Sequence, residues 1–264
     1  MIIDTHVHFF PPNVATKVTE QLSNHYGLPV PHQGTLKEYE LIRRRHDVET
    51  AIFFTAATKP DQVKPANFWA IQNTNNNYIG FGTLHPDYEY IDSEITKLKN
   101  AGIKGVKFHP DFQQFYLDDE KALSIYEKLA DDFIVIFHVG DDQDSEKTNY
   151  TSPERLARVI ELIPNLKVIA AHMGGYQMWD RAFNCLVGKD LYFDTSSSYE
   201  FLPPEKFRYM IKEHGYKNIL LGSDYPYCDP GKEYSSLTKL GLRENELTAI
   251  TRENAKKMLS QLGL

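Results

Sequence analysis

The sequence predicts a (β/α)8 barrel, and three observations carry that expectation. Short apolar, β-branched runs alternate with amphipathic runs along nearly the whole chain of 264 residues. About eight such pairs can be counted, the number that closes a barrel. The strand-like runs are almost continuously apolar, as strands of parallel sheets are when both faces are covered. The first of them leads into His6-Val7-His8-Phe9-Phe10-Pro11-Pro12. An open doubly wound sheet, the alternative fold, usually carries a glycine-rich phosphate turn there.

Each element has its own reason. Met1 to His8 opens apolar and closes on two histidines two residues apart. Side chains alternate along a strand, so both imidazoles would emerge on one face. Pro11-Pro12 forms a stiff exit. Thr35 is placed to cap a helix, with Glu38 at the capping-box position. Arg43-Arg44-Arg45 on that helix reads as a solvated face. Thr50–Thr55 reads as a buried strand, 65–76 as a helix, and Tyr78–His85 as a strand stopped by Pro86. Ile91, Ile95 and Leu98 keep helical spacing up to Gly102. Gly105–His109 is the next strand, closed by Pro110, and 118–131 the next helix. Phe133–His138 is fully apolar until its final histidine. Ser152-Pro153-Glu154 is a helix start: cap, proline in the first turn, early acid. Lys167–His172, Leu191–Thr195 and Ile219–Asp224 are the last strands, with a helix over 204–214 between the latter two. The tail from Arg243 is helical, with Leu247, Ile250, Met258 and Leu262 on one face. No second domain, repeat or low-complexity segment is visible, so 1–264 reads as one barrel with a C-terminal helix.

Bulk properties narrow the function. Hydrophobic residues make up 41% and charged residues 25% of the chain, an ordinary globular composition. A net charge of −7 argues against nucleic acid or an anionic membrane as partner. A small-molecule substrate is the expected partner; a core of this size does not need a homo-oligomer for stability, and a homo-oligomer is left open. Cys185 and Cys228 are the two cysteines and lack metal-type spacing, so a reducing, cytoplasmic setting is expected. No apolar run approaches the roughly 20 residues that span a bilayer. The N-terminus lacks the basic and long apolar parts of a signal peptide, and residue 1 is expected to belong to the fold.

Chemistry collects at the predicted strand ends: His6 and His8, His85, Lys107 and His109, His138, His172, and Asp224. A barrel gathers these ends on the one face where barrel active sites lie. Any single histidine among them is as well read as a satisfied rim residue. Parity refines the set. If His6 and His8 face inward, so do Asp4 and Ile2. If His138 does, Ile136 and Ile134 lie beneath it. If Asp224 does, Gly222 and Leu220 lie beneath. If His109 does, Lys107 sits one layer down.

The pattern Asp4-x-His6-x-His8, His138, His172, Asp224 resembles the amidohydrolase superfamily. More closely, Gly105–Pro110, Ala171–Gly175, Gly222–Pro226 and Asn254-Ala255 are similar to segments of amidohydrolase family 2, which includes aminocarboxymuconate-semialdehyde decarboxylase-like enzymes. The resemblance spans the chain and implies a distorted (β/α)8 TIM barrel holding a divalent metal, commonly zinc. It implies His6, His8, His138 and Asp224 as metal ligands, and His172 as a catalytic group beside them together with Asp224. Three imidazoles and a carboxylate suit Zn²⁺ and leave a position for water. In dinuclear relatives a strand-four lysine is carboxylated and bridges two metals, which would make Lys107 a bridge and raise one ion to two. The favoured expectation is one ion, with Lys107 paired to Asp4, since a buried lysine needs a counter-charge.

His85 and His109 are candidates for substrate contact. Phe10, Tyr176, Trp179, Tyr225 and Tyr227 could wall the pocket, Tyr225 being the substrate-binding candidate among them. Hydrolysis of an amide, lactone or related carbonyl bond is the first functional reading. Nonoxidative decarboxylation of an unsaturated or aromatic acid is the second. A barrel without catalysis is the third, and buried histidines kept beside an acid argue against it.

Overall fold

The computed structural model describes residues 1–140 and 149–264. Its strands are β1 (Ile2–Val7), β2 (Val48–Phe53), β3 (Tyr78–Gly80), β4 (Gly82–Thr83), β5 (Gly105–Phe108), β6 (Ile134–Phe137), β7 (Lys167–Ala170), β8 (Tyr192–Asp194) and β9 (Ile219–Leu220). All neighbouring pairs are parallel, in the order β1-β2-β3 and β4-β5-β6-β7-β8-β9. β3 and β4 are two pieces of one stave, joined through Phe81, whose N–H donates to Phe53 O at 2.8 Å. On the other side, Thr5 N donates to Leu221 O (2.9 Å), Asp224 N to His6 O (2.9 Å) and His8 N to Tyr225 O (2.8 Å). These bonds bring the last stave back to the first, so the sheet is a distorted barrel.

Inside the ring, Ile3, Ile52, Phe54, Phe81, Ile134, Ile136, Ile169 and Leu220 form one buried cluster. Met258 and Leu259 of the last helix, α12 (Asn254–Gln261), join it. That helix therefore seals the end where β1 and β6 begin, opposite the strand ends that carry chemistry. Asn254 ties it down, donating to Tyr216 O and Ile219 O at 2.8 Å each. Ile134 and Ile136 lie beneath His138 and Leu220 beneath Asp224, as parity required.

Parity fails in β1. Ile3, not Ile2 or Asp4, enters the barrel interior. The pairing of β1 with β2 shifts register between Asp4 and Val7, and such an irregularity re-aims the residues after it. Asp4 is fully buried on the outer side. It accepts from Tyr39 Oη (2.7 Å), Ser223 Oγ (2.6 Å) and Ser223 N (2.9 Å). The expected Asp4–Lys107 pair is therefore absent. Burial, only partly offset by these bonds, raises the Asp4 pKa to about 6.

The helix α2 (Leu36–Arg45) packs Tyr39 and Ile42 on this outer face, against Val7, Phe9 and Phe53. Thr35 caps it as expected, accepting from Glu38 N at 3.2 Å. The Glu38 carboxylate turns instead to Gln33 N (2.5 Å) and Tyr225 Oη (2.7 Å). Arg43 and Arg44 both pair with Glu40 on the helix surface. Ser152 caps the helix at Pro153–Leu162. The last strand ends four residues earlier than its apolar run suggests. Beyond Leu220, Leu221 N turns to Ile250 O (3.0 Å) and Ser223 N to Asp4. Among the described residues, no helix is long and apolar enough to cross a membrane.

Candidate metal centre

Three imidazoles at the strand ends are held in the same way. His6 Nδ1 donates to Asp194 Oδ2 at 2.8 Å. His8 Nδ1 donates to Phe54 O at 3.2 Å. His172 Nδ1 lies 3.1 Å from Ser196 O and 2.9 Å from Ser196 Oγ. Each Nδ1 faces an acceptor, which puts the proton there and leaves the lone pair on Nε2. Ligating histidines are oriented by partners of this kind.

Those lone pairs converge on Asp224. Its Oδ1 lies 3.4 Å from His6 Nε2 and 3.3 Å from His8 Nε2. Ligand atoms bound at about 2.1 Å around one tetrahedral ion lie about 3.4 Å apart. His6, His172 and Asp224 offer ligand atoms that all lie within 4.8 Å of one another. Asp224 Oδ2 accepts a hydrogen bond from Ser197 Oγ. His138 completes the cluster, its Nδ1 3.1 Å from His172 Nε2. His138 Nε2 is buried with no hydrogen-bond partner among the described residues. A buried ring nitrogen is costly to leave so, unless an ion or substrate takes it. The residues therefore fit a divalent ion.

The backbone is shaped for this cluster. His172 (φ 59°), Asp224 (φ 59°) and Ser197 (φ 48°) are all left-handed, a conformation that costs non-glycine residues on the order of 1–3 kcal/mol each. Hydrogen bonds hold them there: His172 N donates to Asp194 Oδ1 (3.0 Å) and Asp224 N to His6 O (2.9 Å). Gly222 allows the close approach, since a Cβ there would lie 2.7 Å from His6 Cβ.

The electrostatics follow from burial. Burial lowers the His6 pKa to about 4, against the pull of Asp194. Burial likewise lowers His172, and takes His109 and His138 well down. Burial tends to raise both Asp194 and Asp224, but the neighbouring imidazoles, His6 first, prevail. Asp194 is held at about 2 and Asp224 well below the usual carboxylate range. The site is a set of neutral rings around ionised carboxylates, the state in which imidazole binds metal.

His109, Asp111 and His138 also offer ligand atoms within 4.8 Å. They do not make a second centre of the same quality. The His109 ring stacks on His138 (centroids 3.9 Å, planes 11° apart) and on Phe112 (4.0 Å, 6°). An imidazole lone pair lies in its ring plane, so two rings face to face cannot aim at one ion. Asp111 already accepts from Thr151 Oγ1 and Tyr150 N.

The cluster floors a cavity of about 780 Å³. Lys107, His109, Phe10, Tyr176 and Tyr227 line it. Lys107 Nζ sits 4.8 Å from the centre of the Phe54 ring and has no ion pair or hydrogen bond among the described residues. Burial lowers its pKa to about 8, while Asp194 and Asp224 oppose the shift.

Two substrate-contact expectations are corrected. His85 is buried outside the cavity, its Nδ1 accepting from Asp87 N at 3.1 Å. Tyr225 is fully buried behind β1, packed on Tyr39 and bonded to Glu38. Trp179 is buried as well, donating to His172 O at 2.9 Å.

Sequence reasoning passed over Asp194, Ser196 and Ser197. A signal existed for the first: Leu191-Tyr192-Phe193 ends in an acid, as the Asp224 strand does. Gln113 was also missed. It accepts from His109 N and donates to Ala57 O and Leu84 O, all at 2.8 Å, binding three strand ends together.

Solved structures share this fold. An uncharacterized TIM-barrel protein of Bordetella bronchiseptica is 16% identical, with a TM-score of 0.79 over 100% of this chain and 99% of that one. A dihydroxybenzoic acid decarboxylase of Polaromonas, solved with bound manganese and an inhibitor, is 15% identical, with a TM-score of 0.69 over 98% and 96%. A provisionally named 2-pyrone-4,6-dicarboxylic acid hydrolase of Pseudomonas putida is 14% identical, with a TM-score of 0.68 over 98% and 97%. No curated protein matches in sequence. The amidohydrolase family model matches residues 3–261. With that match across the barrel and the strand-end histidines in its order, the chain belongs to the amidohydrolase family, in the family 2 branch of the amidohydrolase superfamily.

Proposed function

We propose that this protein is a metal-dependent hydrolase of a small-molecule amide, lactone or related carbonyl bond. The observation that carries the reading is the convergence of His6 Nε2 and His8 Nε2 on an ionised Asp224. His6, His8, His138 and Asp224 would hold one divalent ion, and the three-imidazole, one-carboxylate donor set suits zinc. The ion would supply Lewis acidity, lowering the pKa of a water and polarising the carbonyl. Ser197 holds Asp224 in place through Oδ2. His172, whose Nε2 faces the cluster, would take and return the proton. Lys107 is left as a positive charge at the floor, with no second ion required. The free thiols of Cys185 and Cys228 suit a reducing, cytoplasmic setting.

A second reading, nonoxidative decarboxylation, is favoured by one observation. Lys107 Nζ lines the cavity with no direct ion pair or hydrogen bond among the described residues, so a substrate carboxylate would find a partner there. The Polaromonas neighbour is named a decarboxylase. A substrate panel scored in parallel for ester and lactone hydrolysis and for CO₂ release separates the two. Hydrolysis without CO₂ supports the first reading, and CO₂ release without hydrolysis replaces it with the second. Protein purified without chelator should carry about one ion per chain. A folded chain with less than about a tenth of that would remove the basis of both.

A further inference from the structure

The ligand atoms of the metal centre come from opposite ends of the sequence. His6 and His8 stand at the end of β1, and Asp224 sits on the turn after β9. Such atoms must be held to within a fraction of an ångström of their working positions, so the two segments must be fixed against each other. Each also has a backbone N–H beside a break in the regular ladder. Ser223 lies beyond Leu220, where β9 ends, and His6 lies in the stretch where β1 changes register on β2. A buried N–H needs an acceptor. One oxygen serves both: Asp4 Oδ1 accepts from Ser223 N at 2.9 Å and from His6 N at 3.3 Å. The other, Oδ2, accepts from Ser223 Oγ (2.6 Å) and from Tyr39 Oη (2.7 Å) of α2. Ser223 Oγ in turn accepts from Tyr225 N at 3.2 Å, so the carboxylate braces the turn on both sides of Asp224. Asp4, Ser223 and Tyr39 are all fully buried, and water does not compete for these bonds.

We infer that Asp4 is a positioning residue of the metal centre: its Oδ1 sets the spacing between the strand that carries His6 and the turn that carries Asp224. The inference rests on the metal reading, but not on which reaction the centre performs. What the centre needs from Asp4 is an acceptor at Oδ1 rather than a charge. Asparagine offers that acceptor, and its NH2 can donate to the two hydroxyls, which accept as well as donate. Alanine leaves two buried N–H groups unpaired and the two segments free to shift.

The test compares variants of the full-length protein with the unaltered one. Zinc affinity is read by competition with a chromophoric chelator, and ligand geometry by the visible absorption of the cobalt(II)-loaded form. Asp4→Ala should weaken zinc binding about 10–100-fold and change the cobalt absorption. Asp4→Asn should restore affinity to within about threefold of the unaltered protein, with its cobalt absorption. Tyr39→Phe removes a bond to Oδ2 alone. It should melt at a lower temperature without metal yet keep both metal readings. An Asp4→Ala protein that loses less than about tenfold in zinc affinity would overturn the inference. So would a folded Asp4→Asn or Tyr39→Phe that loses as much as Asp4→Ala, since charge or the general stability of the outer face would then govern the centre. If Asp4→Ala does not fold by circular dichroism, Asp4→Leu, which fills the same space without an acceptor, is held to the same criteria. Failure of both to fold would make Asp4 a group of the fold alone and would also overturn the inference. An unaltered protein that binds no zinc would remove the metal centre and this inference with it. Tight zinc binding that survives Asp4→Ala removes this inference alone.

Discussion

The floor and the wall of the cavity are built on different principles. On the floor, each of His6, His8 and His172 has its Nδ1 committed to an acceptor, and three residues are held in left-handed backbone. The wall is one helix that begins after Pro11 without a side-chain cap and buries fully only Ala15. Its cavity-facing side chains are half-buried or exposed. A side chain fixed by several bonds aims an atom to within a fraction of an ångström, which chemistry demands. A helix face demands only shape and polarity. Changes on the floor should therefore destroy the centre, and changes on the wall should redirect it.

Four experiments would break or sharpen that contrast. The largest effect is expected for His6→Ala. Elemental analysis should show the metal falling from about one per chain to less than about a tenth. A variant that keeps its metal would remove His6 from the floor. Asp194→Asn should come next. It keeps the size of the side chain but takes the anionic acceptor from His6 Nδ1. Metal affinity, read by competition with a chromophoric chelator, should weaken about 10–100-fold.

The third concerns pH. His6 is lowered to about 4, and His109, His138 and His172 are lowered too. Each is neutral in the fold but gains a proton on unfolding below about pH 6.5. Their contribution is present above that pH and lost as pH falls towards the folded values. Asp4 and Glu233 run the other way. Burial raises them to about 6 and about 8. Their contribution is present below the ordinary carboxylate range and lost as pH rises through those values. Near pH 5 the imidazoles outnumber the two carboxyls, so the unfolded chain binds more protons. The metal-free protein should thus melt at a lower temperature at about pH 5 than at about pH 7. An unchanged or higher melting temperature at the lower pH contradicts this account of the floor.

The smallest effect is expected for Tyr225→Phe. Loss of its hydrogen bond to Glu38 should lower unfolding free energy by about 1–2 kcal/mol in a denaturant titration. Metal content should not move, because Tyr225 lies behind β1. A loss of metal would bring it back to the floor.

Sequence alone determined the alternation of strands and helices, the barrel, and the ring of His6, His8, His138, His172 and Asp224 at its strand ends. These depend on local signals. Apolar runs mark buried strands, a proline or glycine ends each, and the polar residue that follows must lie at the rim. Tertiary structure decided what local signals cannot carry. The irregularity in β1 turned Asp4 away from Lys107 and towards Tyr39 and Ser223. It thereby left a lysine in the cavity without its expected partner. Parity assumes a regular strand, and the register shift is a property of the β1–β2 pair.

Asp194 ends an apolar strand as Asp224 does. Its role is visible only when β8 brings it, from 188 residues away, to His6 Nδ1. His85 and Tyr225 follow strands just as the floor residues do. Whether such a residue faces the cavity depends on where the chain turns after the strand. At Tyr225 that turn is set by backbone bonds to His8 and Asp4's hold on Ser223, contacts between opposite ends of the sequence.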